Sequence, residues 1–126
     1  MQIRKSAEDY LEAILVLSKQ GGAVRSIDIA TMLGVSKPSV SHAMILLRED
    51  DYIAMDRYGT VTLLEKGEQI AVHIYERHTV LSKMLEYLGV DPEIAREDAC
   101  KLEHDLSDES FAKIKEHFHK NVGKVE

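Results

Sequence analysis

The feature that most constrains the fold is a pair of short amphipathic helices joined by a glycine turn. Between Arg25 and Leu33 apolar residues recur at helical spacing, and Gly34 follows as a helix-ending residue. Ser36 is an N-cap by residue type, and Pro38 falls in the first turn of the next helix, where its missing N–H is harmless. Two short helices separated by a turn of this length are typical of a helix-turn-helix.

The second of these helices has a polar face that is suited to DNA. Its apolar stripe consists of Val40, Ala43, Met44 and Leu47. The polar residues at its start lie largely on the opposite face, where short hydroxyl and imidazole side chains can reach phosphates and base edges in the major groove. The alternative is a small helical hairpin with no nucleic-acid partner. The predicted DNA-binding residues are Arg25, Ser36, Lys37, Pro38, Ser39, Ser41, His42 and Arg57.

A β-hairpin is predicted directly after this helix. Residues 52–56 and 60–64 alternate in polarity or are β-branched, and Gly59 lies at the turn between them. A helix-turn-helix followed by such a hairpin is a winged helix-turn-helix. Arg57 at the tip of the wing is placed to meet a phosphate, although a single arginine at a tip is more often just solvated.

Helices are predicted on both sides of this unit. An amphipathic helix with Ser6 as its N-cap precedes it, and only helical patterns follow residue 65. A long run with apolar residues at helical spacing closes at Gly89, a second helix starts with Pro92 in its first turn, and a last helix starts at Ser107.

The predicted fold is therefore mainly α. Residues 1–65 form the winged helix-turn-helix, and residues 66–126 form an all-helical domain. His117, His119 and residues 120–126 are expected to be a solvated, fraying terminus.

Three residues near the end of the second domain have metal-ligating side chains at one-turn spacing. Cys100, Glu103 and His104 stand at i, i+3 and i+4, so in a helix their side chains leave one face and could bind one divalent transition metal. Such residues on a surface helix are more often solvated bystanders. Asp9 and Glu12 share one side of the first helix, where acids also favour the helix dipole.

His78 lies on the apolar side of the long helix. A single histidine there is more often a core residue than a ligand. Carboxylates and imidazoles suit Mn²⁺ and Fe²⁺, whereas a thiolate moves the preference toward Fe²⁺, Co²⁺ or Zn²⁺. The sequence alone does not prove that the three helices meet.

Composition limits the cellular setting and the partners. No apolar run approaches the length of a membrane span, the N-terminus has no signal-peptide pattern, and the single cysteine fits a reducing cytoplasm. The net charge of −6 weakly opposes nonspecific binding of nucleic acid, but residues 1–66 carry only −1 and residues 67–126 carry −5. The first half can therefore present a local basic face.

From about residue 3 to residue 118 the chain resembles the diphtheria toxin repressor family of metal-dependent transcriptional repressors, and most of all its manganese transport regulator branch. The motifs that carry the resemblance are Glu8-Asp-Tyr-Leu-Glu12, Ile29-Ala30, Ser36-Lys-Pro-Ser-Val-Ser41, Tyr75-Glu-Arg-His78, Gly89-Val-Asp91, and Cys100-Lys-Leu-Glu-His104 before Leu106-Ser107.

The resemblance implies a cytoplasmic homodimer, with two winged-helix heads on a helical dimerisation domain and metal bound between head and dimerisation domain. The loaded dimer is expected to bind a palindromic double-stranded operator and repress metal-uptake genes. Neither a membrane nor a small organic substrate is expected as a partner. The residues that match ligands of the manganese branch are Asp9, Glu12, His78, Glu103 and His104.

Cys100 departs from the manganese branch, which has a glutamate there, and matches the iron-responsive branch instead. Asp9, conversely, stands where the iron branch has a methionine. The implied site is a hybrid that also includes Cys100, with Mn(II) or Fe(II) as the expected ion and Co(II) or Zn(II) as further possibilities. The ancillary site of the iron branch looks incomplete, because Ser82 and Arg96 replace a glutamate and a histidine. The SH3-like domain of that branch has no counterpart in these residues.

Two other classes of function compete with this one. A winged-helix regulator could act without metal, its polar cluster being a hydrogen-bond network at a dimer interface. A metallohydrolase could use the carboxylate-rich site, but the winged helix would then have no role, so no enzymatic activity is expected.

Overall fold

The structure is a computed structural model, and it describes residues 5–121. The elements in chain order are α1 (Lys5–Lys19), α2 (Ser26–Leu33), α3 (Lys37–Glu49), β1 (Ile53–Met55), β2 (Val61–Leu63), α4 (Glu65–Tyr87), α5 (Pro92–Leu102) and α6 (Asp108–Asn121). The mainly α fold with a winged helix-turn-helix followed by helices is confirmed.

The chain divides into two compact units between His73 and Ile74, within α4. The domain boundary after residue 65 stays a prediction. The outer ends of the two predicted domains, residues 1–4 and 122–126, lie outside the described residues.

The first unit is built on the three helices α1, α2 and α3, which pack against one another, with β2 against α1. The strands β1 and β2 pair antiparallel, with Ala54 opposite Thr62. The Val61 N–H donates to the Val24 carbonyl at 2.8 Å, which ties the wing to the segment before α2. The core side chains that are almost completely buried include Leu11, Ile14, Ile29, Val40, Met44 and Ile53.

The helix-turn-helix follows the caps that the sequence predicts. Gly34 ends α2 in the left-handed region at φ 66°, which a glycine adopts without steric cost. The Ser36 hydroxyl accepts a hydrogen bond from the Ser39 N–H at 3.3 Å, and Pro38 lies in the first turn of α3. The turn and its capping residues are confirmed.

The tip of the wing is ordered by one carboxylate. Asp56 accepts hydrogen bonds from the Tyr58 N–H at 2.8 Å and the Thr60 N–H at 3.0 Å, and Gly59 takes φ 81°. The bond from Thr60, and to a smaller extent the bond from Tyr58, lowers the pKa of Asp56 below its usual value. The wing tip is therefore a defined turn with Arg57 held on it.

The base of the wing is packed tightly against the first turn of α4. The Leu64 N–H donates to the Tyr52 carbonyl at 3.0 Å, and a Cβ placed on Gly67 would fall inside contact distance of that same carbonyl oxygen. Lys66 donates to the Asp50 carbonyl at 3.0 Å, and its ammonium lies 4.2 Å from the centroid of the Tyr52 ring. Only glycine, which has no Cβ, permits the Tyr52 carbonyl to lie this close to residue 67.

The second unit has its own small apolar core. Met84, Leu106 and Ile114 pack against it as partly buried neighbours. The Ser107 hydroxyl accepts from the Ser110 N–H at 3.1 Å, which confirms the predicted start of α6. Among residues 5–121 no helix is long and apolar enough to cross a membrane. The buried core consists of Val80, Leu81, Ala99, Phe111 and Phe118.

Three local predictions are wrong. Helix α1 already includes Lys5, so Ser6 lies inside the helix and is not its N-cap. Helix α5 ends at Leu102, so Glu103 is its C-cap and His104 lies beyond it, because the backbone turns there toward α6. The terminus is not frayed at His117 and His119, because α6 continues to Asn121 and burial of Phe118 anchors its last turns, although His117 is exposed as predicted; the rest of that prediction, residues 122–126, lies outside the described residues.

Candidate metal centre and DNA-binding surface

The centre of the second unit is a buried carboxylate paired with a histidine. The Glu103 side chain is only 1% exposed, and its Oε2 lies 2.9 Å from Nδ1 of His78 on α4. The Glu103 N–H still donates to the Ala99 carbonyl at 2.9 Å, which keeps this residue in the geometry of a last helical turn. The end of α5 therefore directs Glu103 toward α4.

Two further predicted ligands flank this pair. The Cys100 sulfur lies 3.7 Å from Nδ1 of His78, and Nε2 of His104 lies 3.4 Å from Oε1 of Glu103. One ligating atom from each of His78, Cys100 and Glu103 falls within 4.8 Å of the others. The structure thus brings together the candidates of the second unit, although the last two residues of the motif are outside the helix.

The electrostatics of the cluster favour positive charge at its centre. Hydrogen bonding to Cys100, and next to Glu103, raises the pKa of His78 to about 10, against the opposing effect of burial. The two anion-forming neighbours stabilise the protonated imidazole in the absence of another cation. A metal ion would take the place of that proton.

The donor atoms fit a divalent transition metal. Oε1 of Glu103 is buried and has no hydrogen-bond partner among the described residues, and an oxygen of this kind is expensive to leave without a cation or a donor. Sulfur, imidazole nitrogen and carboxylate oxygen together are a ligand set for Fe²⁺, Co²⁺ or Zn²⁺, and the nitrogen and oxygen ligands also suit Mn²⁺.

Asp9 and Glu12 lie one turn apart on α1, in the first unit, and both are partly buried. Their participation in the metal site stays a prediction.

The predicted DNA-binding residues are all exposed on the first unit. Arg25 directly precedes α2, with its N–H donating to Asp28 at 3.0 Å, while the residues from Ser36 to His42 form the start of α3. Arg57 stacks over the Tyr58 ring at 4.9 Å and donates to its hydroxyl at 2.7 Å. These side chains are accessible to a partner, and their role in DNA binding stays a prediction.

Arg77 is a functional candidate that was not predicted from the sequence, and its guanidinium is buried beside this cluster. It donates to the Glu103 carbonyl at 3.1 Å, the Leu106 carbonyl at 2.6 Å and the Asp108 carboxylate at 2.6 Å. The sequence feature that could have identified Arg77 is its position three residues after Ile74, on the buried side of the helix. A charged residue at such a position usually has specific partners.

A winged-helix unit followed by a helical unit with a metal-ligating cluster defines a class, the metal-responsive DNA-binding regulators. Comparisons with known proteins identify the family. Residues 2–61 match the N-terminal DNA-binding domain of the iron-dependent repressors, and residues 64–121 match their metal-binding and dimerisation domain.

Relatives and solved structures agree with this match. The transcriptional regulator MntR of Escherichia coli O6:H1 is 39% identical over 108 residues, 86% of this chain and 70% of the relative. The manganese regulator SloR has a TM-score of 0.79 at 28% identity, covering 94% of this chain and 55% of that one. A manganese-dependent transcriptional repressor in complex with manganese has a TM-score of 0.81 at 29% identity, covering 88% and 51%. The chain spans about half the length of these two structures.

The chain belongs to the diphtheria toxin repressor family of iron-dependent and other metal-dependent repressors, and the predicted resemblance to its manganese regulator branch is confirmed. The family consists of transcriptional regulators, and neither matching domain is described as an enzyme.

Proposed function

We propose that this protein is a transcriptional repressor that senses Mn(II) or Fe(II) and binds a palindromic operator as a homodimer to repress metal-uptake genes. The observation that carries the proposal is the cluster of His78, Cys100 and Glu103, whose ligating atoms lie within 4.8 Å and include a buried carboxylate oxygen that accepts no hydrogen bond within the described residues. A chain that had only to bind DNA would gain nothing from a buried carboxylate oxygen without a hydrogen-bond donor.

The proposed ligands come from both predicted domains. A bound ion supplies positive charge and directional bonds that neutral hydrogen-bond donors do not. Protein with the ion bound would favour the arrangement in which two recognition helices reach major grooves about 34 Å apart, and operator DNA would reciprocally tighten metal binding. The full proposed ligand set is Asp9, Glu12, His78, Cys100, Glu103 and His104.

A second copy of the chain is the proposed partner of the helical unit. Large apolar side chains remain exposed at the end of α4 and along α5, where an isolated helical unit would be expected to cover them. The match to a dimerisation domain supports the same conclusion. The protein is proposed to act in the cytoplasm, and no enzymatic role is proposed for it. The exposed apolar residues are Tyr87, Leu88, Ile94 and Leu102.

The proposal is tested by DNA binding with and without metal. Duplexes are selected from a random-sequence pool with metal-loaded protein, and their affinity is then measured anaerobically for apo protein and with Mn²⁺, Fe²⁺, Co²⁺ or Zn²⁺ in turn. We expect a palindromic consensus and tight binding only with metal. Equal affinity of apo and loaded protein would instead identify a metal-independent regulator, and metal-dependent turnover without DNA binding would identify an enzyme.

The choice of metal is tested at Cys100. Cys100→Glu removes the soft sulfur and should shift the relative affinity from Fe²⁺ toward Mn²⁺, because carboxylate oxygen suits the harder ion. Cys100→Ser is the matched control, since it removes the sulfur without adding a charge. Unchanged relative affinities in Cys100→Glu would show that Cys100 does not set the preference.

A further inference from the structure

Arg77 is a buried cation directly preceding His78 on α4. Its side chain is 5% exposed, and its Cζ lies 5.1 Å from the centroid of the Phe111 ring. A guanidinium is rarely buried without several acceptors, and Arg77 has three. Nη1 donates to two main-chain carbonyls, and Nη2 donates to one carboxylate.

The three acceptors all belong to the connection between α5 and α6. The carbonyls of Glu103 and Leu106 follow the end of α5, where no further helical turn can satisfy them, and Asp108 is the first residue of α6. A cation is favourable at a helix C-terminus and an acidic residue at an N-terminus. Arg77 thus contacts both the residues that follow α5 and the first residue of α6.

Arg77 and His78 therefore contact the same residue at two different points. Arg77 holds the main-chain carbonyl of Glu103 at 3.1 Å, and His78 holds its carboxylate at 2.9 Å. We propose that Arg77 is a positioning residue of the metal site, which holds the α5–α6 connection so that the Glu103 carboxylate faces His78. This inference rests on the proposed metal site.

The arrangement requires an arginine and not simply a positive charge. The planar guanidinium presents its N–H groups in a fixed fork, so one side chain reaches carbonyls three residues apart and a carboxylate at once. A lysine ammonium is a compact, mobile charge and cannot reproduce this geometry. Arg77→Lys keeps the charge and is therefore the informative substitution.

Lys115→Met is the matched control. Lys115 on α6 forms an ion pair with Glu76 on α4 at 3.0 Å, so it also joins these two helices, through a contact that does not involve the α5–α6 connection. A general effect of loosening α4 from α6 would appear in both variants. An effect on the placement of Glu103 would appear only in Arg77→Lys.

The experiment is an anaerobic Co²⁺ titration followed by absorbance, with circular dichroism to verify folding. We expect Arg77→Lys to bind Co²⁺ about 10- to 100-fold more weakly than the unsubstituted protein, as for other residues that orient metal ligands, and to change the sulfur-to-cobalt charge-transfer band. Lys115→Met should retain both. Unchanged affinity and spectrum in folded Arg77→Lys would overturn the inference.

A metal-free readout separates this inference from the proposed function. In apo protein, the NMR signals of the His78 imidazole report its hydrogen bond to Glu103, which we expect to weaken in Arg77→Lys but not in Lys115→Met. Failure of the unsubstituted protein to bind Co²⁺ would refute the metal site, while an unchanged His78 signal would refute the positioning role.

Asp108→Ala keeps the test decisive if Arg77→Lys does not fold. Asp108 is 86% exposed and supplies only one of the three acceptors, so its removal should leave the fold intact. It should weaken Co²⁺ binding in the same direction by a smaller factor. Wild-type affinity in that variant would overturn the inference.

Discussion

The two units differ in how deeply their functional side chains are buried. In the first unit the candidate DNA-binding residues are exposed and lie on segments whose shape is set by residues close in the chain. For example, Ser36 caps α3 by accepting a hydrogen bond from the Ser39 N–H. In the second unit Arg77 and Glu103 are buried, and their partners are 25 to 31 residues away in the chain. A DNA-reading surface must be accessible, whereas buried charged groups need partners within the fold, and in the metal cluster only Cys100 is exposed.

This contrast predicts different responses to substitution. Changes at the exposed surface should alter binding and leave stability nearly intact, because surface substitutions away from caps usually change it little. Changes around Arg77 and Glu103 should alter stability and metal binding together, since buried polar groups lose their partners there.

The largest effect is expected from Phe111→Ala in the second unit. Phe111 is 4% exposed, lies in the core with Leu81 and supports the Arg77 guanidinium. Its loss should lower the free energy of unfolding by about 3–5 kcal/mol. Chemical denaturation measures the change, and Lys113→Ala on the exposed face of the same helix is the control. A loss no greater than that of the control would show that the buried network does not depend on this core.

A smaller but clear loss is expected from Gly67→Ala at the base of the wing. Alanine would gain about 1 kcal/mol of helix propensity. Its Cβ would meet the backbone carbonyl of Tyr52, which cannot swing aside as a flexible side chain can, and overpacking costs about 1–3 kcal/mol or more. We therefore expect net destabilisation in thermal unfolding, with Glu68→Ala on the same turn nearly neutral. A stabilised Gly67→Ala protein would contradict the tight packing.

The pH dependence of metal binding tests the charge of the buried site. Because Cys100 and Glu103 raise the pKa of His78 to about 10, the imidazole is protonated at neutral pH and must lose its proton to bind metal. Below pH 10 this group alone should weaken metal binding by about tenfold per unit of falling pH.

The raised pKa of His78 has the opposite consequence for the stability of the apo protein, which should fall with rising pH while metal binding strengthens. A raised pKa stabilises the folded state fully below the ordinary value of 6.5, and this contribution is lost as the pH rises through about 10.

Calorimetry in buffers of different ionisation enthalpy measures the proton released on metal binding. His78→Gln should abolish that component, and His73→Gln on the exposed part of α4 should retain it. Equal proton release in both variants would contradict the assignment of the released proton to His78.

The smallest effect is expected from Ser36→Ala at the start of α3. Loss of the N-cap should lower the free energy of unfolding by about 1 kcal/mol. Ser36→Asp keeps a capping oxygen and should restore stability, but it places a negative charge where DNA phosphates are proposed to bind. Operator binding measured by fluorescence anisotropy should therefore fall in Ser36→Asp although stability recovers. Tight operator binding by that variant would exclude this helix start from the DNA-binding surface.

The sequence predicted the first unit almost completely. Gly34, Ser36 and Pro38 determine the helix-turn-helix through interactions that span three or four residues, and the alternation around Gly59 determines the wing. Patterns of this range are encoded locally, so they can be read without knowing the rest of the fold. Ser6 is the exception, since helix α1 extends past the capping residue.

For the second unit, the sequence predicted the candidate ligand residues but not the geometry in which they meet. Helical spacing placed Cys100, Glu103 and His104 on one face, yet α5 ends at Leu102 and the cluster forms across a helix end. The partner that fixes this end, Arg77, lies 26 residues before Glu103 and had no assigned role.

What the sequence determined by itself was the order of elements, the DNA-binding unit, the family and the chemical types of the proposed ligands. Only the tertiary structure decided that Glu103 is buried, that its carboxylate faces His78 and that its carbonyl is held by Arg77. Local propensities cannot specify such contacts. They depend on which buried groups the packed helices leave without water, and each of those groups must then find its partner within the fold.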